Sequence, residues 1–254
     1  MAERIEAVAI GGLGEIVPGD DLPALIADAL AAADVHPLRD DDALVVTQKI
    51  VSKAEGAVVD LTTIEPSPVA QEFARRHDRD ARQVEVVLRE AKRVVRMANG
   101  VIITETHHGF VCANGGIDAS NVGPASGSIV TLLPRDPDAS ADGIRAAIRE
   151  RLGQDVPVVV SDSFGRPWRL GIVDVAIGVS GLLPLDDLRG QPDADGRVMK
   201  STVRAVADEL ASAAELVLGK TAGRPLALVR GASFVRGEGR IAEALLPAEL
   251  DLFR

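Results

Sequence analysis

The 254-residue chain carries 28 Lys and Arg against 38 Asp and Glu, a formal charge of −10 without a basic run, which argues against a nucleic-acid or anionic-membrane binder. Its 46% hydrophobic and 26% charged residues suit one large folded unit or two small subdomains and argue against disorder. A single cysteine, Cys112, excludes an internal disulfide, and no apolar run reaches the ~20 residues of a bilayer span or forms a secretory leader, so a cytoplasmic location is expected.

Residues 5–10 alternate weakly and predict a first strand, running into a Gly-rich turn over 11–18. Asp20 or Asp21 then caps a helix over 22–33, with Leu22, Leu25, Ile26, Ala29 and Leu30 on one face. A polar connection, 38–42, precedes an apolar strand at 43–46. Residues 66–90 hold one or two helices with a strongly charged outer face. Residues 101–104 and 109–113 pattern as paired strands, 114–127 as a polar Gly-rich loop, and 129–133 as a strand. A helix over 140–151 has Ser140 as its N-cap and Gly153 beyond its end.

The strand at 156–160 is of the buried type and ends at the polar segment 161–169, which holds Trp168, the only Trp of a chain with 2% aromatics. A strand at 173–179 and an irregular stretch at 181–197 follow. The longest helical pattern, 198–218, stops at Gly219; a strand at 226–229 and a short helix at 241–246 complete the chain. Strands and helices mix without strict alternation. That predicts an α+β fold of mixed sheets with flanking helices, in two intimately packed subdomains, neither Rossmann nor P-loop.

Three segments could carry chemistry. Asn114-Gly115-Gly116-Ile117-Asp118-Ala119-Ser120-Asn121 reads either as a tight turn bonding its own backbone or as a close-approach loop offering hard oxygen ligands from Asp118 and Asn121. Ser161 to Arg169 follows an apolar strand, where ligands commonly bind. Asp162 and Ser163 suit Mg²⁺ or Mn²⁺, and Arg166 and Arg169 suit phosphate or carboxylate, although two arginines beside a carboxylate also make an ordinary surface ion-pair cluster. Thr47 to Lys53 sets two lysines past a strand, either as a solvated strand end or with Lys53 as a point charge for phosphate.

Two other features are set aside. The run from Ala214 to Gly219-Lys220-Thr221 imitates a P-loop but has Ala at its first position, a helix before it and a strand after it. The four histidines have no zinc spacing, and Cys112 has no activating neighbour in sequence.

In order along nearly the whole chain, the segments Gly12 to Ile16 with Pro18 to Leu22, Gln48 with Val51 to Gly56, Asn114 to Asn121, Ser161 to Gly171 and Val229-Arg230-Gly231 together resemble the coenzyme F-420:L-glutamate ligase family. The resemblance implies a GTP-dependent ligase with two divalent ions, Mg²⁺ or Mn²⁺, with K⁺ as a further candidate ion, in a homodimer. By motif matching, Asp118 and Asp162 would bind the first metal and Ser163 the second. GTP would be held by Leu13, Gly14, Glu15, Ile16, Gln48, Lys53, Asn121 and the turn containing Leu218, Gly219, Lys220 and Thr221. Lys53, Arg166 and Arg169 would act in catalysis. Archaeal members carry a Glu near Lys220 as a further metal ligand, and Leu13-Gly14 stands where Leu-Pro is usual.

Actinobacterial members are often fused to a C-terminal nitroreductase-like domain. This chain stops at Arg254, near where such a fusion would begin, and would be either free-standing or part of a longer protein.

The implied substrates are an F-420 precursor, glutamate-free or dehydro, and L-glutamate, joined through an acyl phosphate and extended through the γ-carboxylate. Metal ions between carboxylates and phosphates would let so acidic a chain hold a polyanion. Two other readings remain: a two-metal nucleotide phosphohydrolase, needing neither deazaflavin nor glutamate, and a non-catalytic deazaflavin-binding module, needing neither metal nor GTP.

Overall fold

Local rules set most element boundaries in the computed structural model, which describes residues 4–119, 127–220 and 222–252. Strand β1 (Glu6–Ile10) leads to helix α1 (Leu22–Ala32), whose first turn is capped by the Asp21 carboxylate accepting from the Ala24 N–H. Strand β2 (Asp42–Thr47) runs directly into α2 (Gln48–Ala54), and β3 (Val58–Asp60) follows. The 66–90 stretch forms two helices, α3 (Pro68–His77) capped by Ser67 and α4 (Ala81–Glu90) capped by Asp80, separated by Asp78 at φ 51°.

Strands β4 (Ala91–Ala98), β5 (Val101–Thr106), β6 (Val111–Ala113) and β7 (Ile129–Thr131) precede α5 (Pro137–Leu152). Helix α5 starts before Ser140. Asp136 is the cap, accepting from the Ala139 N–H, and Pro137 opens the first turn, where its missing N–H costs nothing. Ser140 Oγ instead bonds the Glu55 carboxylate and the Asp136 carbonyl.

Strands β8 (Val158–Arg166) and β9 (Arg169–Ser180) form one long hairpin, so the polar segment expected to be a loop is strand nearly to its tip. The helical pattern expected over 198–218 is divided. Val203–Arg204 (β11) pairs with Asp186–Asp187 (β10), and α6 (Val206–Leu218) begins only afterwards, with Asp208 and Glu209 in its first turn, where acids favour a helix start. Strand β12 (Leu226–Arg230) is followed by a 3₁₀ turn at Ile241–Ala244 where a short helix was expected.

The main sheet has the order β1-β12-β2-β8-β9. Only β2 and β8 are parallel; the other three pairings are antiparallel. Three smaller sheets pair β3 with β7, β10 with β11, and β4-β5-β6. The fold is thus α+β.

The largest core joins the main sheet to α1, α5 and α6 through aliphatic residues such as Ile26, Leu30, Leu44, Val159, Ile177 and Leu228, all at or below 1% exposure. Gly178 lets the first turn of α5 lie on β9, since a Cβ there would stand 2.4 Å from the Pro137 carbonyl carbon. Separate apolar clusters join α3 and α4 to β5 around Phe73, Val84 and Ile102, and α4 to β7 around Leu61, Val86 and Val130. The buried Asp42 carboxylate is held by the Arg230 guanidinium of β12 at 2.6 and 2.8 Å, a fork that pins β12 to β2.

Candidate functional site

Strand register gathers distant segments at one end of the main sheet. Ile10 pairs with Leu226, Leu226 with Val46, and Thr47 with Ser161. The segment after β1, the start of α2, the continuation of β8 and the turn before β12 therefore meet. The Thr47 N–H donates to the Pro225 carbonyl at 2.9 Å, closing that turn against β2. From the other side, Asp118 exchanges both main-chain bonds with Thr131, at 2.8 and 3.1 Å, which fixes its side chain over the same space.

Glycine makes that approach possible. Gly116 has φ 69°, and a Cβ there would lie 2.8 Å from the Leu133 side chain. Between these elements lies a cleft of about 790 Å³, within the range of small-molecule sites.

The cleft walls carry acids and lysines in contact. Lys49 Nζ is 2.7 Å from Asp118 Oδ2, and Lys53 Nζ is 2.6 Å from Glu15 Oε1. Lys220 Nζ touches Ser163 Oγ and stands 3.6 Å from Asp174 Oδ1 and 4.0 Å from Glu215 Oε1. Side chains alternate along β8, so Ser161 and Ser163 share a face. Their hydroxyls donate to the buried Asp174 carboxylate of β9 at 3.2 and 2.5 Å. The Glu215 carboxylate accepts from the Asp174 N–H at 3.0 Å, tying α6 to the hairpin.

Burial pushes the Asp162 carboxyl up to about 7, and the neighbouring carboxylates Asp174 and Asp118 push in the same direction; the Ser163 N–H and Lys220 only partly offset them. Burial, with Asp162 second, also lifts the Cys112 thiol to about 12, which makes Cys112 an inert core residue.

Leu13, Gly14, Glu15, Ile16, Gln48, Lys53, Asp118, Asp162, Ser163, Leu218, Gly219 and Lys220, all singled out in the sequence, line this one cleft. Gln48 is itself fixed, its amide donating to the Leu132 carbonyl at 2.8 Å. Arg166 and Arg169 do not line it. They sit at the exposed hairpin tip, where Arg166 donates to the Leu170 carbonyl. Asn121 and Thr221 lie outside the described residues.

The family model for F420-0:gamma-glutamyl ligase matches residues 12–231. Named relatives extend the likeness over essentially the whole chain. A coenzyme F420:L-glutamate ligase of Methanopyrus kandleri is 46% identical, covering 99% of this chain and 97% of its own length. One of Methanothermobacter thermautotrophicus is 43% identical over 98% and 99%. One of Methanococcus maripaludis is 38% identical over the full length of both. The chain belongs to the F420-0:gamma-glutamyl ligase family.

For a member of this family the donor set can be compared with a divalent metal site. Asp118, Asp162, Asp174, Glu215 and the Ser163 hydroxyl are hard oxygens of the kind Mg²⁺ and Mn²⁺ take. Among the described residues, no three acidic, histidine or cysteine groups converge into a ligand set as they stand. The fit differs between the two positions. At Asp118 and Asp162 the chemistry suits a cation, because Asp162 carries a burial and like-charge cost that a positive ion would relieve, and the partly exposed Asp118 can exchange its Lys49 contact for one. At Ser163 the oxygens already face the Lys220 ammonium.

Asp174 and Glu215 did not stand out in the sequence of this ligase-family chain. An acid inside the apolar stretch 173–179 was the available sign for Asp174. Glu215 resembles any polar-face residue of a long helix.

Proposed function

We propose that this chain is a GTP-dependent ligase that joins L-glutamate to the lactyl carboxylate of the coenzyme F-420 precursor, in its glutamate-free or dehydro form, and extends the tail through the γ-carboxylate. One observation carries the reading: a single cleft juxtaposes the carboxylates of Asp118, Asp162, Asp174 and Glu215 with the ammonium groups of Lys49, Lys53 and Lys220. A site for carboxylate activation by phosphoryl transfer needs both kinds of group, acids to hold cations against the phosphates and lysines to meet phosphate oxygens directly. The relatives of Methanothermobacter thermautotrophicus and Methanopyrus kandleri, named coenzyme F420:L-glutamate ligases, support these substrates.

In this reading Leu13 to Ile16, Gln48 and the turn from Leu218 onward enclose the nucleotide. Lys53, with a side chain only 13% exposed, meets a phosphate in exchange for Glu15. A coenzyme carboxylate oxygen attacks the γ-phosphorus, the bond to the β-bridging oxygen breaks, and GDP leaves. The neutral amine of glutamate then attacks the acyl carbon, phosphate departs, and the amine proton passes to solvent or a cleft base. Asp118 and Asp162 would hold a divalent ion, which would supply charge neutralisation on the phosphates. Lys53 adds cationic stabilisation from the cleft wall. The β8–β9 hairpin exposes Trp168 at 80% and Leu170 at 99%, an apolar tip suited to contact with a second copy in a homodimer.

Mass spectrometry of a reaction containing the glutamate-free coenzyme, glutamate, GTP and Mn²⁺, with each omitted in turn, tests the reading. The expected product is heavier by one or more glutamyl residues and needs every component. GTP loss without a glutamylated product would replace the ligase with a nucleotide phosphohydrolase.

A further inference from the structure

The oxygens around the Lys220 ammonium form a built cage rather than a chance surface contact. Asp174 is 4% exposed. It is fixed by the hydroxyls of Ser161 and Ser163 and, through its own N–H, by Glu215. A second main-chain tie fixes it from α6, where Ser212 Oγ donates to the Asp174 carbonyl at 2.8 Å. A carboxylate so buried requires a positive partner, and the cost of leaving one without it exceeds that of most core defects.

Lys220 supplies that partner from the turn after α6. Its Nζ meets Ser163 Oγ, Asp174 Oδ1 and Glu215 Oε1 together. These are also the oxygen types that a hard divalent cation selects. An ammonium and a divalent ion a few ångströms apart repel by several kcal/mol at the effective dielectric of such a site, so one cage does not hold both.

We infer that Lys220 is a resident cation occupying the cage of Ser163, Asp174 and Glu215, so that this chain takes one divalent ion fewer than its oxygen donors could bind. The inference rests on the reading of the cleft as a nucleotide and metal site. The positive charge opposite Asp174 is covalently attached and present at any metal concentration. The remaining divalent position lies toward Asp162 and Asp118, where the partly exposed Asp118 releases Lys49, now 2.7 Å away, to take the ion.

The test is a count of Mn²⁺ bound per chain, from the electron paramagnetic resonance signal of the free ion. It uses the full-length protein alone, as wild type, Lys220→Gln and Lys220→Glu. Lys220→Gln removes the ammonium without adding a carboxylate, its amide can still donate to Ser163, and thermal unfolding with Mn²⁺ present checks that each variant is folded before its ions are counted. Both variants are expected to bind an additional Mn²⁺ that the wild type does not, more tightly in Lys220→Glu, where a further oxygen ligand is supplied. Equal counts for wild type and Lys220→Gln, at any value, would overturn the inference. The count needs neither coenzyme nor glutamate, so it stands apart from the product assay: failure to make glutamylated coenzyme would sink the ligase reading and leave the count unchanged.

Discussion

Asp162→Asn should weaken function while strengthening the metal-free fold. The carboxyl is carried from 3.8 to about 7 by burial and by the neighbouring acids Asp174 and Asp118. The folded chain therefore binds this proton more tightly than the unfolded chain does, and folding takes one up between about pH 4 and pH 7. Stability from this group is full below the unfolded value and declines as pH rises through that window. By pH 8 the cost reaches at most about 4 kcal/mol, at about 1.4 kcal/mol per pH unit. Removing even half of that would raise the melting temperature by about 4–8 °C for a domain of this size.

The assay is thermal unfolding of wild type and Asp162→Asn at pH 5 and pH 8, with and without Mn²⁺. The variant should melt higher at pH 8 without metal and show little advantage at pH 5, where the wild-type carboxyl is protonated. Mn²⁺ at about 100 times its dissociation constant should return about 2.7 kcal/mol to the wild type and much less to the variant. Equal melting temperatures at pH 8 without metal, or equal gains from Mn²⁺, would refute the link between the strained acid and the ion.

Three further outcomes follow from single contacts. Lys53→Met, which removes the cation now paired with Glu15, should weaken binding of a non-hydrolysable GTP analogue by about 10–100-fold by calorimetry, the worth of one charge-assisted contact; an unchanged affinity would exclude Lys53 from the phosphate site. Asp42→Ala leaves the Arg230 guanidinium without its buried partner and should cost about 3–5 kcal/mol in urea unfolding, with part restored by Arg230→Met in the same chain. Gly178→Ala forces a methyl into the Pro137 backbone and should cost about 2–3 kcal/mol or more; a neutral effect would mean that α5 does not lie on β9 as described.

The site was more legible in the sequence than parts of the frame around it. Asp118, Asp162 and Lys53 lie in short polar segments bordering apolar runs, and strand ends are where such residues can meet a ligand. That these segments share one cleft was not legible, because it depends on the parallel pairing of Thr47 with Ser161, and register is a tertiary property. Strand β4 went unseen because Ala91–Ala98 reads as charged residues around two valines, with Lys92, Arg93, Val94 and Arg96 all exposed and no alternation of buried and exposed positions. The polar segment 161–169 was expected to be a loop because Gly165, Arg166 and Pro167 are turn-prone, yet cross-strand pairing extends β8 to Arg166 and starts β9 at Arg169, leaving only Pro167 and Trp168 as the turn. The helix start at 198 failed for a similar reason: pairing of Val203–Arg204 with Asp186–Asp187 captures residues whose periodicity alone continues the helix.

The pairing of β1 with β12 joins residues 6–10 to residues 226–230. During synthesis, the strand between β1 and β2 is therefore among the last parts of the sheet to be made. Until it arrives, β1 has no neighbour and the turn at Pro225 cannot close on Thr47. Closing so long a loop is entropically costly and slow. A growing or prematurely terminated chain would thus carry Asp118 and Asp162 without the wall that completes their cleft. Such a fragment would have no assembled pocket, which ties completion of the cleft to the near-completion of translation.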